Sequence, residues 1–416
     1  MYSRQIHAFA EELLNEFRIL YVTGPRQAGK TTLARAIAAE RDMDYITLDD
    51  QATLASVSSD PHGFLRSLGQ RAVVIDEFQY APALVPAIKA ASDSLQAHER
   101  GRFLLTGSTD VFRSAKVQES LPGHMARLEL LPLSLSELHG QPRNVVDLLL
   151  HGNYPALTAP FLSREQIARQ LLKGGYPELQ DKSARAQQMW FSSYLEGRLF
   201  KDFETLHAAR GDYHSRLRAL VTAMAGLTGN LLKYASLAND LQLNDKVIKH
   251  YIEILELMFI VQRVPAYVKN TAKHLVMQMP KLHFIDTGLA CHLLGLRTEA
   301  QVLVSQFHGN LLETLVYMEL YKQKSWATEN VSMLHFRDNQ KREVDIVLER
   351  SGGGIVGVEV KASASIKAED FRGLSALADY AGTQFEQGVI IYSGDRLLPF
   401  KVGERVFHAL PMGVFV

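Results

Sequence analysis

Over the first 140 residues, short apolar runs ending in polar or acidic residues alternate with segments of helical period. Residues 6–17 space their apolar side chains as an amphipathic helix does. A β-rich run follows at 18–23, then helix formers at 32–40, then a short run at 44–48 that ends in Asp49 and Asp50. Residues 72–77 read Ala-Val-Val-Ile-Asp-Glu, the continuous apolar run expected of a strand covered on both faces. Residues 101–109 and 127–131 add a fourth and a fifth run, the last closed by Pro132. Five strands with interleaved helices predict an α/β domain with a largely parallel sheet. Ligands of such sheets bind at the carboxyl ends of the strands.

From 134 to 206 the pattern is helical, broken at Gly174-Gly175-Tyr176-Pro177-Glu178. It reads equally as a lid on the first domain or as a set of linking helices. Helices are then predicted at 214–227, at 236–241 with Ser236 as cap, and at 245–258. The third carries Val247, Ile248, Tyr251, Ile252, Leu255 and Met258 on one face. Runs at 259–261 and 264–268 complete a winged helix-turn-helix outline. Lys246, Lys249 and His250 are expected on the exposed face of the recognition helix, where they would meet phosphates. Asp245 and Glu253 share that region, and the helix has no Arg or Gln to read bases, so a protein partner is the alternative. Further on, a strand and turn at 281–289, a helix from Gly309, strands at 334–337, 342–348 and 355–361, a helix at 368–380 and a strand at 389–392 predict another α/β domain. The boundaries expected are 1–140, 141–212, 213–270 and 271–416.

The strongest chemistry lies between the first strand and the second helix. Gly24, Pro25, Arg26, Gln27, Ala28, Gly29, Lys30, Thr31 and Thr32 spell G-x-x-x-x-G-K-[ST] plus one residue. Strand, glycine loop and helix form a cradle for the phosphates of ATP, because glycines let backbone N–H groups turn inward and the helix start adds partial positive charge. Lys30 reaches the β- and γ-phosphates, and Thr31 offers its hydroxyl to Mg²⁺. A chance glycine turn before a helix is the bland reading, and the context argues against it. Asp76, at the end of the third run, is placed to hold Mg²⁺. Glu77, next to it, is placed to activate water, which favours hydrolysis over a kinase reaction. Thr106 or Ser108 ends the fourth strand as a polar sensor, or is plain turn chemistry.

A second constellation lies near the carboxyl end. Asp345 is mid-strand, Glu359 and Lys361 share a face of the next strand, and Glu313 approaches from the preceding helix. A helix acid followed by D…ExK is the PD-(D/E)xK nuclease arrangement, in which Glu313, Asp345 and Glu359 would hold Mg²⁺ and Lys361 would position water. Any half-exposed strand also alternates valine with charge. Forty-five basic and 45 acidic residues leave zero formal net charge, so a basic surface would have to be local. Cys291 is the only cysteine, which excludes an intrachain disulfide and suits a reducing cytoplasm. No signal peptide is recognised at the start, and the most apolar run, 251–261, is too short to span a bilayer.

GPRQAGKTT, VVIDEFQ (73–79), LLTGST (104–109), ESLPGH (119–124), LLPLSLSEL (130–138), GGYPE (174–178), PKLHFIDTGL (280–289), REVDIVLE (342–349) and VEVKAS (358–363) run nearly end to end. Together they resemble bacterial and archaeal AAA-type ATPases that carry a C-terminal conserved domain of unknown function, of PD-(D/E)xK nuclease type. The resemblance implies ATP and Mg²⁺ at Gly29, Lys30, Thr31, Asp76 and Glu77. It departs at Gly123-His124, where the family has arginine; Arg127 or Arg113 is the alternative finger. Two functions follow as expectations. One is an ATP-driven enzyme acting on DNA. The other is an ATP-switched regulator whose nuclease-like domain only binds. A homo-oligomer is open in either case.

Overall fold

The computed structural model describes residues 2–96, 98–109, 123–152, 154, 159–207, 213–269 and 279–416. Arg113 lies outside them. The chain divides into two compact units, Met1–Leu133 with Leu257–Phe259, and Ser134–Glu256 with Ile260–Val416.

The first unit is built on strands β1 (Ile19–Thr23), β2 (Asp44–Thr47), β3 (Val73–Asp76), β4 (Phe103–Gly107) and β5 (Met125–Glu129), with helices α1 (Ile6–Glu16), α2 (Lys30–Glu40), α3 (Gln51–Ser59), α4 (Pro61–Ser67) and α5 (Leu84–Asp93). The sheet order is β2-β3-β4-β1-β5, and every pairing is parallel. β1, β3 and β4 are buried at every residue, which is why they are near-continuously apolar. Ile19, Tyr21, Val73, Ile75, Phe103 and Leu105 pack on one face with Phe78, Leu84 and Ile88. β4 therefore stands between β1, which feeds the glycine loop, and β3, which carries Asp76.

The second unit begins with helices α6 (Leu135–Leu138), α7 (Val145–His151), α8 (Arg164–Lys173), α9 (Ala184–Tyr194) and α10 (Lys201–His207). Next come α11 (Tyr213–Gly226), β6 (Asn230–Leu231), α12 (Tyr234–Leu241), α13 (Asp245–Leu257), β7 (Val261–Val264) and β8 (Lys281–Phe284). Ser236 is not a cap: α12 starts two residues earlier, and its cap position, Lys233, makes no side-chain bond. The strand expected at 264–268 does not pair with β7. Pro265 supplies no N–H, and residues 265–267 turn to His335 instead, with Tyr267 N 2.6 Å from His335 O. β7 pairs with β8, and the small antiparallel sheet is ordered β6-β8-β7.

After β8 the expected turn is a helix, α14 (Thr287–Leu293), started by the Asp286 side chain accepting from Leu289 N. Asp286 also accepts from Gly175 N at 2.7 Å, which docks the Gly174-Gly175 break on this helix. Then come α15 (Glu299–Val304), α16 (His308–Gln323), β9 (Val331–Arg337), β10 (Glu343–Arg350), β11 (Ile355–Lys361), α17 (Arg372–Ala381) and β12 (Phe385–Tyr392). β13 (Leu398–Val402) and β14 (Arg405–Pro411) were not foreseen from the pattern. The sheet order is β13-β14-β12-β11-β10-β9. α16 is buried without a break from Leu311 to Gln323, as a helix surrounded on all sides must be. α17 lies so close to β10 that a Cβ on Gly373 would fall 1.9 Å from Glu343 O.

Candidate nucleotide site and acidic cluster

The glycine loop leaves β1 through a turn that only glycine can make. Gly24 has φ +152°, and a Cβ there would lie 2.0 Å from Leu130 O. Gln27 (φ 62°) and Gly29 (φ 100°) take left-handed conformations that bring the chain round to α2. Pro25 and Ala28 are buried, Arg26 is half-buried, and Gln27 and Thr32 are exposed. Lys30 is only 5% exposed and turns back on its own loop, with Nζ 2.9 Å from Gly24 O and 2.8 Å from Pro25 O. Burial lowers its pKa to about 8; Arg26 adds to the shift, while Glu77 and Asp76 oppose it. Arg4, far upstream, braces the loop by donating to Ala28 O (2.8 Å) and Leu131 O (2.7 Å).

The end of β3 comes up beside the loop. Thr31 Oγ1 donates to Asp76 Oδ2 at 2.9 Å, Tyr45 OH donates to the same oxygen at 2.5 Å, and Thr106 donates to Oδ1. Glu77 takes a left-handed conformation (φ 57°), and its N–H donates to Thr106 Oγ1 at 3.1 Å. Its carboxylate accepts from Gln79, which also donates to Ser108 Oγ at 3.1 Å and accepts from Ser108 N at 3.2 Å. Lys30, Thr31, Asp76, Glu77 and Ser108 thus converge. Arg4, Tyr45, Thr106 and Gln79 complete the arrangement; Gln79 was visible in VVIDEFQ but had no assigned role. The Thr31 hydroxyl and Asp76 carboxylate are hard oxygen donors side by side, the kind Mg²⁺ takes.

His124 is elsewhere. Its carbonyl accepts from Ile19 N at 3.1 Å, at the amino end of β1, and its ring meets Arg18 (3.1 Å) and Asp93 (3.5 Å). The five residues of β1 put roughly 16 Å between that edge and the glycine loop. Arg127 lies mid-strand in β5, beside Glu129 at 3.4 Å.

The C-terminal acids surround a residue that pattern reading passed over. Lys281, on β8, is 1% exposed. Its Nζ lies 2.6 Å from Glu343 Oε1, 2.8 Å from Glu313 Oε1 and 3.0 Å from Asp345 Oδ1. Burial pushes its pKa down, but the Asp345, Glu313 and Glu343 charges outweigh burial and hold it well above the ordinary value. A register shift in β10 between Val344 and Val347 frees Asp345 from the regular ladder. Asp345 Oδ2 accepts from Val360 N at 2.9 Å. Glu359 Oε1 accepts from Lys361 Nζ at 2.7 Å, and burial together with the Asp345 charge lifts the Glu359 pKa to about 8. His283 stacks on Tyr317 at 4.3 Å and lies 3.7 Å from Glu313 Oε1; burial and Lys281 keep it neutral. The acids were legible along the chain; the one sequence signal for Lys281 was its place at the head of the run 281–285. On α13, Lys246, Lys249 and His250 are exposed.

Residues 16–139 match an AAA domain family. Residues 164–300 and 308–415 match two domains of unknown function, DUF8612 and DUF4143. An uncharacterized protein of Mycobacterium tuberculosis is 27% identical over 408 residues, covering 96% of this chain and 81% of the relative. An uncharacterized protein of Methanocaldococcus jannaschii is 22% identical over 351 residues, covering 80% and 72%. Among solved structures, a Walker-type ATPase of Pyrococcus abyssi is 17% identical, with TM-score 0.43 over 70% of this chain and 96% of that one. RuvB of Thermotoga maritima is 18% identical, with TM-score 0.30 over 66% and 93%. Among the described residues no helix is long and apolar enough to cross a membrane. With a glycine loop after β1, an inward lysine and an acid-ended strand one place removed in a five-stranded parallel sheet, the segment 16–139 has the P-loop arrangement of the AAA domain that it matches.

Proposed function

We propose that this chain hydrolyses ATP with Mg²⁺ and uses nucleotide state to govern how its second unit holds DNA. The observation that carries the first half is the 2.9 Å contact of Thr31 with Asp76 beside the inward-turned Lys30. Lys30 exchanges two loop carbonyls for phosphate oxygens, and backbone N–H groups at the start of α2 take the rest of the charge. Thr31 and Asp76 would hold Mg²⁺, which supplies neutralisation of the charge developing on the phosphates. Glu77, held by Gln79, which Ser108 in turn anchors, orients the attacking water. A chain with one buried cysteine suits work in a reducing cytoplasm.

The order α11, β6, α12, α13, β7, β8 supports a winged-helix reading of the middle, with Lys246, Lys249 and His250 of α13 turned outward to meet phosphates. Glu313 on a helix, with Asp345, Glu359 and Lys361 on neighbouring strands, supports a nuclease-like ancestry for the end of the chain. Holding DNA is favoured over cutting it by the position of Lys281 among the acids.

The test is ATP turnover and DNA anisotropy on wild type, Lys30→Ala and a Lys246→Ala/Lys249→Ala variant. Turnover lost in the first variant and DNA affinity lost in the second, with wild-type affinity changing on ATP addition, is expected. Turnover surviving Lys30→Ala, or DNA affinity indifferent to ATP, would overturn it.

A further inference from the structure

The acids near the carboxyl end already surround a cation, and the chain itself supplies it. Three elements, β8, α16 and β10, meet at the Nζ of Lys281, which touches Glu343, Glu313 and Asp345 within 2.6–3.0 Å. The lysine is buried, and β8 is the central strand of its sheet, paired on both sides.

We propose that Lys281 takes the place of a divalent metal ion in this cluster, making it a metal-free centre that fastens three elements together and does not accept a catalytic metal. The oxygen inventory agrees. Asp345 Oδ1 faces Lys281 and Oδ2 accepts from Val360 N. Glu343 Oε1 faces Lys281 and Oε2 accepts from Arg337 Nη1 at 2.8 Å. One oxygen of Glu313 and one of Glu359 are held by Lys281 and Lys361. Mg²⁺ demands near-octahedral oxygens at about 2.0–2.1 Å, and here both oxygens of Asp345 and of Glu343 are committed to N–H donors, while Glu359 Oε2 is buried without a hydrogen bond.

Charge agrees too. Four carboxylates (Glu313, Glu343, Asp345, Glu359) face three cations (Lys281, Lys361, Arg337), so at most one negative charge is left, against the two that a divalent ion neutralises. Among the described residues, the only three His, Cys, Asp or Glu side chains whose ligand atoms lie within 4.8 Å of one another are His7, Glu11 and Glu40, in the other unit. Glu313, Asp345 and Glu359 do not meet that spacing. Nucleic acid held near this centre is accordingly not cut by metal-activated water. The inference stands whether or not the first unit hydrolyses ATP.

The test is Mn²⁺ binding to the full chain without nucleotide, in an Asp76→Asn background, read by paramagnetic resonance and by the shift in melting temperature. Adding Asp345→Asn to the Lys281-containing chain leaves both readouts unchanged. Lys281→Ala gains a bound Mn²⁺ and, against the same variant without Mn²⁺, a rise in melting temperature of several degrees, and adding Asp345→Asn removes both. An Asp345-dependent Mn²⁺ site in the chain that retains Lys281 overturns the proposal, as does a folded Lys281→Ala that gains none. Should Lys281→Ala not fold, Lys281→Met takes its place, and the comparison in the Lys281-containing chain decides alone.

Discussion

Gln79 holds the Glu77 carboxylate and ties it to Ser108 Oγ, 3.1 Å away on the end of β4. Two strand ends are thus coupled through one amide. If Glu77 orients water, Gln79 is a positioning residue. Gln79→Ala should lower kcat for ATP about tenfold, roughly 1.4 kcal/mol of barrier, with KM nearly constant. Steady-state kinetics check this, and an equal loss through KM alone would speak against it.

Lys30 brings a pH dependence. Its pKa in the nucleotide-free fold is about 8, lowered by burial. ATP affinity should fall as pH rises through about 8, because the neutral amine loses its attraction for phosphate. The folding term has the opposite sign. The unfolded chain binds this proton more tightly than the folded one, so this group's contribution to stability increases as pH rises from about 8 toward the ordinary lysine value. Nucleotide titrations across that range, with Lys30→Arg as the variant that keeps its charge, check the first effect.

Gly24 allows no side chain. Gly24→Ala would drive a Cβ into Leu130 O, 2.0 Å away, at φ +152°. A cost of about 1–3 kcal/mol and loss of nucleotide binding are expected. Gly69→Ala, with no atom within 4 Å of the new Cβ, should cost less and leave binding intact. Urea melts and ATP titrations of the two variants make the comparison.

Lys281→Met would leave Glu313, Glu343 and Asp345 without their ammonium. Breaking a buried pair from one side costs about 3–5 kcal/mol. Without the lysine, the folded state should bind protons more tightly than the unfolded chain. Stability should therefore recover as pH falls, opposite to a simple loss of packing. Denaturant melts from neutral to mildly acidic pH check both size and sign.

Much of the first unit was legible because its signals are local. An apolar run, a glycine turn and a helix start depend on residues a few positions apart, so the loop at 24–31 and the acids at 76–77 were readable. Gln79 and Tyr45 were not, since their role depends on which strand end lies beside Asp76. In the second unit, α13 was legible from its apolar stripe. The pairing of β7 with β8 was not, because residues 265–267 had the choice of His335.

By itself the sequence determined a nucleotide loop, its lysine and threonine, the acids that face them, and an acid-lysine pattern near the carboxyl end. Only the tertiary structure decided what that pattern surrounds. Lys281 stands 32 residues before Glu313 and 64 before Asp345. No periodicity links residues so far apart; packing of β8, α16 and β10 does. In the first unit, the pairing of β1 with β5 likewise put His124 at the amino end of β1, away from the glycine loop. Which charges meet in a buried centre is a property of packed elements, so a pattern that reads as a metal site along the chain can fold around an ammonium instead.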